Sequence, residues 1–173
     1  MIFTGFKRKS NQFFFDNRLP NWLKKPADSS SKEITNVLVL IDNISEKEMI
    51  HKSLLSLFEI ESANLDIIVV QQKISKDQVS EEINTPKDFG WFGKIKSDRL
   101  KSVLTKKYDL LINYSNVDNL YCNLLLLQCK VAFKTGFAHL DSRFYDLTID
   151  CEPNNLELFN NELKKYLIIL NKI

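Results

Sequence analysis

The sequence predicts one α/β domain with a mainly parallel sheet. Short runs rich in Val, Ile and Leu occur at 37–42, 65–70 and 109–113, as expected of strands that are buried on both faces. Segments with apolar residues at helical spacing follow these runs, and this alternation builds parallel sheets. We therefore expect a single three-layer Rossmann-like or flavodoxin-like domain of about five strands, preceded by a basic aromatic N-terminal arm.

Length and composition agree with that fold class. A chain of 173 residues suits a single domain, and its 44% apolar and 27% charged residues are ordinary for a globular protein. The serine-rich tract before the first strand reads as a linker. We expect an arm at 1–25, a linker at 26–33 and the α/β domain at 34–173.

The arm is basic and rich in aromatic side chains. Residues 1–25 contain six basic residues and one acidic residue, a net charge of +5, so residues 26–173 carry −3 of the total of +2. A short amphipathic helix is expected over about 6–17, and Leu19 should end it because Pro20 disfavours helix in the residue before it. The linker would leave this arm free to reach a partner.

Aromatic rings among lysines and arginines suit an anionic partner with stackable or apolar parts, such as RNA or a membrane surface. The alternative is that the rings fold back onto the domain and the charges are only solvated. The arm residues expected to bind a partner are Lys7, Arg8, Lys9, Phe13, Phe14, Phe15, Arg18, Trp22, Lys24 and Lys25.

The first half of the domain should begin with the strand at 37–42. Ser45 and Glu48 form an S-x-x-E pattern that predicts a capped helix, and the strand at 65–70 follows it. Residues 71–93 are the least regular, with a turn of helix expected near 77–83.

An aromatic loop, Phe-Gly-Trp-Phe-Gly-Lys at 89–94, contains two of the four glycines in the chain. Glycine marks backbone that turns sharply or approaches another group closely, so the loop should have a defined shape. It either caps the core by burying Trp91 and Phe92, or forms a lid or stacking platform.

The second half should contain three strands and three helices. The helix at about 117–128 is apolar on all sides, so it must be buried or lie in an interface, and a homodimer is possible. The other expected elements are a helix from Ser97 to Tyr108, a strand at 109–113, a strand at 131–133 stopped by Thr135 and Gly136, a strand at 146–150, and a final helix capped by Asn154.

A ligand crevice in such a sheet lies outside the carboxyl ends of the strands. The candidate crevice residues are Asp42, Trp91, Asn113, Ser115, Asn116, Lys134 and Thr135. The sequence has no G-x-G-x-x-G, no G-x-x-x-x-G-K-[ST] and no G-x-S-x-G, which argues against a standard dinucleotide site, a P-loop and a hydrolase nucleophile.

The sequence contains no pattern that predicts a catalytic site, a metal site or a cofactor site. His51 and His139 have no carboxylate or cysteine at metal-ligand spacing, although His139 is at the predicted crevice edge. The three cysteines form no C-x-x-C pair and indicate a reducing compartment. The longest apolar runs are too short to span a bilayer. We expect a cytoplasmic protein without a metal, a cofactor or a transmembrane segment.

Three segments resemble an uncharacterised family of small bacteroidete proteins, a domain of unknown function with a Rossmann-like fold. They are the W-F-G-K element at 91–94, the strand at 109–113 and the K-V-A-F-K-T-G segment at 130–136. The resemblance covers about residues 34–172. It implies the fold and brings no catalytic residues.

Three functions remain open at this stage. The first is a non-enzymatic adaptor that docks through its arm onto an RNA–protein assembly such as the ribosome. The second is a small-molecule or nucleotide binder, possibly an enzyme, that uses the strand ends. The third is a protein associated with a membrane surface.

Overall fold

A computed structural model of the chain describes residues 2–24, 33–72 and 80–173. Within them, six strands form one sheet in the order β3-β2-β1-β4-β5-β6, and all strand pairs are parallel. The strands are β1 Val37–Ile41, β2 Leu65–Val70, β3 Ile83–Asn84, β4 Lys107–Asn113, β5 Lys130–Phe137 and β6 Leu147–Ile149. The predicted α/β fold with a parallel sheet is confirmed, and the strand order is that of a Rossmann-like fold.

Within the same described residues, five α-helices accompany the sheet. They are α1 Ile2–Leu23, α2 Lys47–Phe58, α3 Asp98–Thr105, α4 Leu120–Gln128 and α5 Leu156–Ile169. One apolar core lies between the sheet and helices α2 and α5, and a second lies between the opposite face and helices α1, α3 and α4. The sheet is therefore the middle of three layers.

Strand β1 shows how the sequence builds both cores. Its side chains alternate in direction, so Val37, Val39 and Ile41 enter the first core while Leu38 and Leu40 enter the second. All five are fully buried, which explains why the run is apolar without alternation.

The sheet has six strands where about five were predicted. The missed strand is β3, which pairs only Ile83 and Asn84 with the end of β2 and is too short to show a pattern. Residues 80–84 are turn and strand, so the helical turn expected near 77–83 is wrong there, and residues 77–79 lie outside the described parts.

Strand β5 continues beyond its predicted end. Thr135 to Phe137 pair with β6, so Thr135 and Gly136 are strand residues and do not stop the strand. A Cβ atom on Gly136 would lie 2.7 Å from the Tyr145 ring. The glycine thus permits close approach of that ring and is not a signal for a strand end.

Helix ends were predicted less well than helices. Ser97 does cap α3, since its Oγ accepts a hydrogen bond from the Leu100 amide. The predicted Ser45–Glu48 box does not form, because Asn43 caps a short 3₁₀ helix at Ile44–Glu46 that precedes α2. The last helix is capped by Asn155 rather than Asn154.

Helix α1 is longer than predicted. It runs from Ile2 to Leu23 with Pro20 inside it, so the expected end at Leu19 is wrong. Proline within a helix costs about 3 kcal/mol. Leu19 and Trp22 pack against the second core on either side of the proline, and this packing offsets the cost. The linker predicted at 26–33 lies outside the described residues, apart from residue 33.

Candidate functional site

Asn11 fixes α1 to the aromatic loop at 89–94. This asparagine is fully buried, its Nδ2 donates to the carbonyl oxygen of Gly90 at 3.0 Å, and its Oδ1 accepts from the amide of Gly93 at 2.8 Å. One side chain thereby satisfies a backbone donor and a backbone acceptor that the fold has buried. The loop and the helix are one structural unit.

A further polar side chain of α1, that of Lys7, binds the same segment. Lys7 Nζ donates to the carbonyl oxygens of Pro86 at 2.7 Å and Phe89 at 3.0 Å. Burial and the nearby Lys96 lower the pKa of Lys7 below its ordinary value. Lys7 was predicted to contact a partner, but its ammonium group is used to dock α1.

The inner aromatic side chains of α1 complete this docking. Phe15 is buried and meets the ring of Phe144 edge-on at 6.0 Å. Phe14 packs edge-on to Trp22 at 5.8 Å and also covers Gly93, whose φ of +69° suits glycine. Among the described residues, α1 is therefore packed on the domain and is not a free arm.

The docking of α1 also explains the apolar character of α4. Tyr121 to Leu127 are all buried, and α1 contacts this helix. The prediction that α4 is buried or lies in an interface is thus met within one chain.

Other predicted arm residues remain accessible to solvent. Those with exposed side chains are Arg8, Lys9, Phe13, Arg18 and Lys24, whereas Lys25 lies outside the described residues. Phe13 is 64% exposed, and Phe6, which was not among the predicted binding residues, is 57% exposed. The spacing of seven residues between these phenylalanines, two helical turns, was the signal that could have placed both on one face.

The aromatic loop exposes two rings and buries the third. Phe89 is fully buried against Tyr121, with ring centroids 4.8 Å apart. Trp91 and Phe92 are 46% and 59% exposed, so the expectation that they cap the core is wrong. Phe92 adopts a φ of +53°, which is unusual for a residue other than glycine.

Asp42 closes the crevice between the ends of β1 and β4. Its carboxylate accepts from the amide of Asn116 at 2.8 Å, from Asn116 Nδ2 at 2.8 Å and from the amide of Val117 at 3.3 Å. His139 Nε2 lies 3.1 Å from the carbonyl oxygen of Asn116 and so joins the same group. The structure brings these predicted residues together, but they bind one another.

A second group of predicted residues is buried beneath the start of α4. Asn113 Nδ2 donates to the Tyr145 hydroxyl at 2.7 Å, and Asn113 Oδ1 accepts from the Ser115 amide at 3.0 Å. Ser115 Oγ lies 3.5 Å from Cys122 Sγ. Burial raises the pKa of Cys122 to about 12, so its thiol is protonated at neutral pH and is a poor nucleophile.

Lys134 and Thr135 lie within β5 rather than beyond its end. Lys134 lines an open pocket of about 110 Å³ beside Arg143 and Asp146, whereas Thr135 is fully buried. The seven predicted crevice residues are consequently divided among separate places.

A larger open pocket of about 250 Å³ lies beside β2. His51 lines it and hydrogen-bonds Ser62, with Nε2 and Oγ 3.0 Å apart. Arg99 in its wall donates to the carbonyl oxygen of Ile67 at 3.1 Å, and Lys47 forms an ion pair with Glu82. These polar groups already have partners, so the pocket resembles a solvated sheet edge.

Residues 2–24, 33–72 and 80–173 contain no group of three or more His, Cys, Asp or Glu side chains placed to hold a metal ion. Within the same residues, no helix combines the length and the apolar character needed to cross a bilayer.

Comparisons with known proteins identify the family of the chain. No curated protein and no solved structure matches the chain. One family, described as a family of unknown function, DUF6913, matches residues 7–170. The match begins inside α1, so it includes the docked helix as well as the sheet. Because the match covers nearly the whole chain, the protein belongs to the DUF6913 family of unknown function.

Proposed function

We propose that the protein is a cytoplasmic, non-enzymatic adaptor that docks onto an RNA–protein assembly through the outer face of α1, with the ribosome as the first candidate. One observation carries this proposal. The inner face of α1 is fixed to the domain by Asn11, Lys7 and Phe15, while Arg8, Lys9 and Phe13 point to solvent.

A fixed helix suits binding better than a free arm. The side chains of Arg8 and Lys9 are held on a scaffold, so less conformational entropy is lost when they contact phosphate. Each phosphate contact releases counterions, and binding should therefore weaken steeply as the salt concentration rises. The body of the protein is slightly acidic, which leaves α1 as the surface most favourable for an anionic partner.

The two alternatives have weaker support. A ligand at the strand ends would have to displace the hydrogen bonds that Asp42 makes with Asn116 and Val117. A helix lying in a membrane surface needs a continuous apolar face. The outer face of α1 instead places Gln12 and Asp16 beside its phenylalanines, and these two polar side chains hydrogen-bond each other.

Sedimentation of native cell lysate on sucrose gradients tests the proposal. The wild-type protein should travel with ribosomal particles at low salt and return to the top at high salt or after ribonuclease treatment. A double variant, Arg8→Gln with Lys9→Gln, should stay near the top. The matched control, Lys164→Gln with Lys165→Gln on α5, should sediment as the wild type does. Wild-type protein that remains at the top at both salt concentrations would refute the proposal.

A further inference from the structure

The outer face of α1 and the aromatic loop form one surface. The amide of Phe92 donates to Ser10 Oγ at 3.1 Å, which holds Phe92 against the helix. Ser10 lies between Phe6, four residues before it, and Phe13, three residues after it, and residues at these spacings are neighbours on a helix surface. Phe6, Phe13, Phe92 and the adjacent Trp91, which we call the aromatic platform, are therefore exposed aromatic side chains on either side of this contact.

We propose that the aromatic platform binds single-stranded nucleic acid by stacking on unpaired bases, and that RNA is the ligand. This inference rests on the proposed function and specifies which part of an RNA–protein assembly is recognised. In this inference Trp91 and Phe92 stack on bases, whereas the docking of α1 does not require their rings.

The platform is rigid although its rings are exposed. Asn11 holds the backbone on both sides of the exposed pair, through Gly90 and Gly93. The positive φ angles of Phe92 and Gly93 fix a tight turn that points these rings outward. All four platform rings are between 46% and 64% exposed. Exposed aromatic groups that are clustered and held in place mark binding surfaces.

Exposed basic side chains occur on the same helix and in the same segment as the platform rings. They are Lys9 on α1 and Lys87, Lys94 and Lys96 in the segment around the loop. The two nearby carboxylates have partners of their own, since Asp88 Oδ2 accepts from the Thr85 amide at 2.7 Å and Asp16 Oδ1 accepts from Gln12 Nε2 at 2.9 Å. Rings that stack on bases, combined with cations that follow the phosphates, are the arrangement used for single-stranded nucleic acids.

The rings distinguish a single strand from a duplex. In a duplex the faces of the bases are stacked on one another, so a duplex would contact the basic residues through its phosphates and would not stack on the rings. A single strand presents bases that stack on Phe13 and Phe92 while its phosphates meet Lys9 and Lys94. The platform should accordingly prefer a single strand over a duplex of the same length, with little dependence on sequence.

Fluorescence anisotropy with labelled oligonucleotides tests this inference. The probes are a 12-nucleotide uridine RNA, the matching DNA and a 12-base-pair RNA duplex. Wild-type protein should bind the single-stranded RNA at least about 10-fold more tightly than the duplex, because stacking on one ring is worth roughly 5- to 150-fold in affinity. Equal or tighter binding of the duplex would overturn the inference, and tighter binding of the DNA would overturn RNA as the ligand.

Two ring variants and one control variant separate stacking from charge. Phe13→Ala keeps a helix-forming residue, and Phe92→Asn keeps a residue that tolerates positive φ. Each should weaken single-strand binding by roughly 5-fold or more and leave duplex binding unchanged. Tyr166→Ala removes an exposed ring from α5 and should have no effect. Ring variants that bind as the wild type does would overturn stacking.

The results also separate this inference from the proposed function. If the Arg8 and Lys9 variant no longer sediments with particles while the ring variants sediment and bind normally, docking stands and stacking fails. If wild-type protein neither sediments with particles nor binds any oligonucleotide, both proposals fail. Binding to anionic phospholipid vesicles in place of RNA would likewise overturn both.

Discussion

Replacing Asn11 with alanine should release α1 from the aromatic loop. The substitution leaves the buried carbonyl of Gly90 and the buried amide of Gly93 without their partner. Each buried group left unpaired costs about 1–3 kcal/mol, and alanine returns roughly 0.5 kcal/mol as the better helix former. For the two groups together, we expect a net loss of about 1.5–5.5 kcal/mol in the free energy of unfolding.

Urea unfolding and amide hydrogen exchange measure this loss. The urea midpoint reports global stability, and exchange at the Gly93 amide reports local release of α1 even if the rest of the domain stays folded. Asn17→Ala is the matched control, since Asn17 is an exposed asparagine on the same helix. The reasoning is refuted if Asn11→Ala stays within about 0.5 kcal/mol of that control and Gly93 keeps its protection.

Three further predictions concern backbone, pH and thiols. Gly93→Ala should lower the melting temperature, at a cost of about 2–4 kcal/mol, because its Cβ would lie 2.3 Å from Phe14 and the φ at this position is +69°. The control Gly5→Ala has open space around its Cβ and should raise the melting temperature. Equal shifts of the melting temperature in the two variants would contradict this prediction. Burial and the hydrogen bond to Asp66 raise the pKa of Tyr108 above its ordinary value. The folded state thus favours the neutral phenol of Tyr108. The stability that this side chain contributes is complete below about pH 10 and is lost as the pH rises further. The urea midpoint should fall between pH 8 and 11, and it should fall less steeply in Tyr108→Phe. Parallel plots of midpoint against pH for the two proteins would contradict this prediction. Burial raises the pKa of Cys122 and Cys129 to about 12. A thiol reagent at pH 8 should modify only the partly exposed Cys151 quickly, and Cys151→Ser should abolish that fast phase; two or three fast thiols would disprove the buried placement.

The central strands were predictable because burial on both faces of the sheet requires a continuous run of apolar residues, which is visible in the local sequence. Strand β2 was predicted with the bounds that it has, and β1 within one residue. Strand β3 was missed because two residues cannot display a period. Helix caps were misplaced by one or two residues where several polar residues compete for the same role, as Asn43 does with Ser45.

The candidate surface was only partly predictable, because its assembly depends on contacts distant in sequence. The sequence identified the basic aromatic segment and the aromatic loop separately. Asn11 joins them across 79 and 82 residues, and no local pattern reveals such a pairing. The same limit applies to Asp42 and Asn116, which are 74 residues apart and were predicted to face a ligand rather than each other.

The docking of α1 depends on segments that the ribosome synthesises much later. Among the described elements α1 is made first, yet Lys7 and Asn11 bind groups 79 to 82 residues later in the chain, and Phe15 packs against Phe144. Helix α1 therefore cannot complete its packing until Phe144 has been made. A nascent chain that stops before Phe144 displays the inner rings of α1 and the apolar surface of α4 together, and a chaperone that recognises apolar segments would find both on the same unfinished molecule.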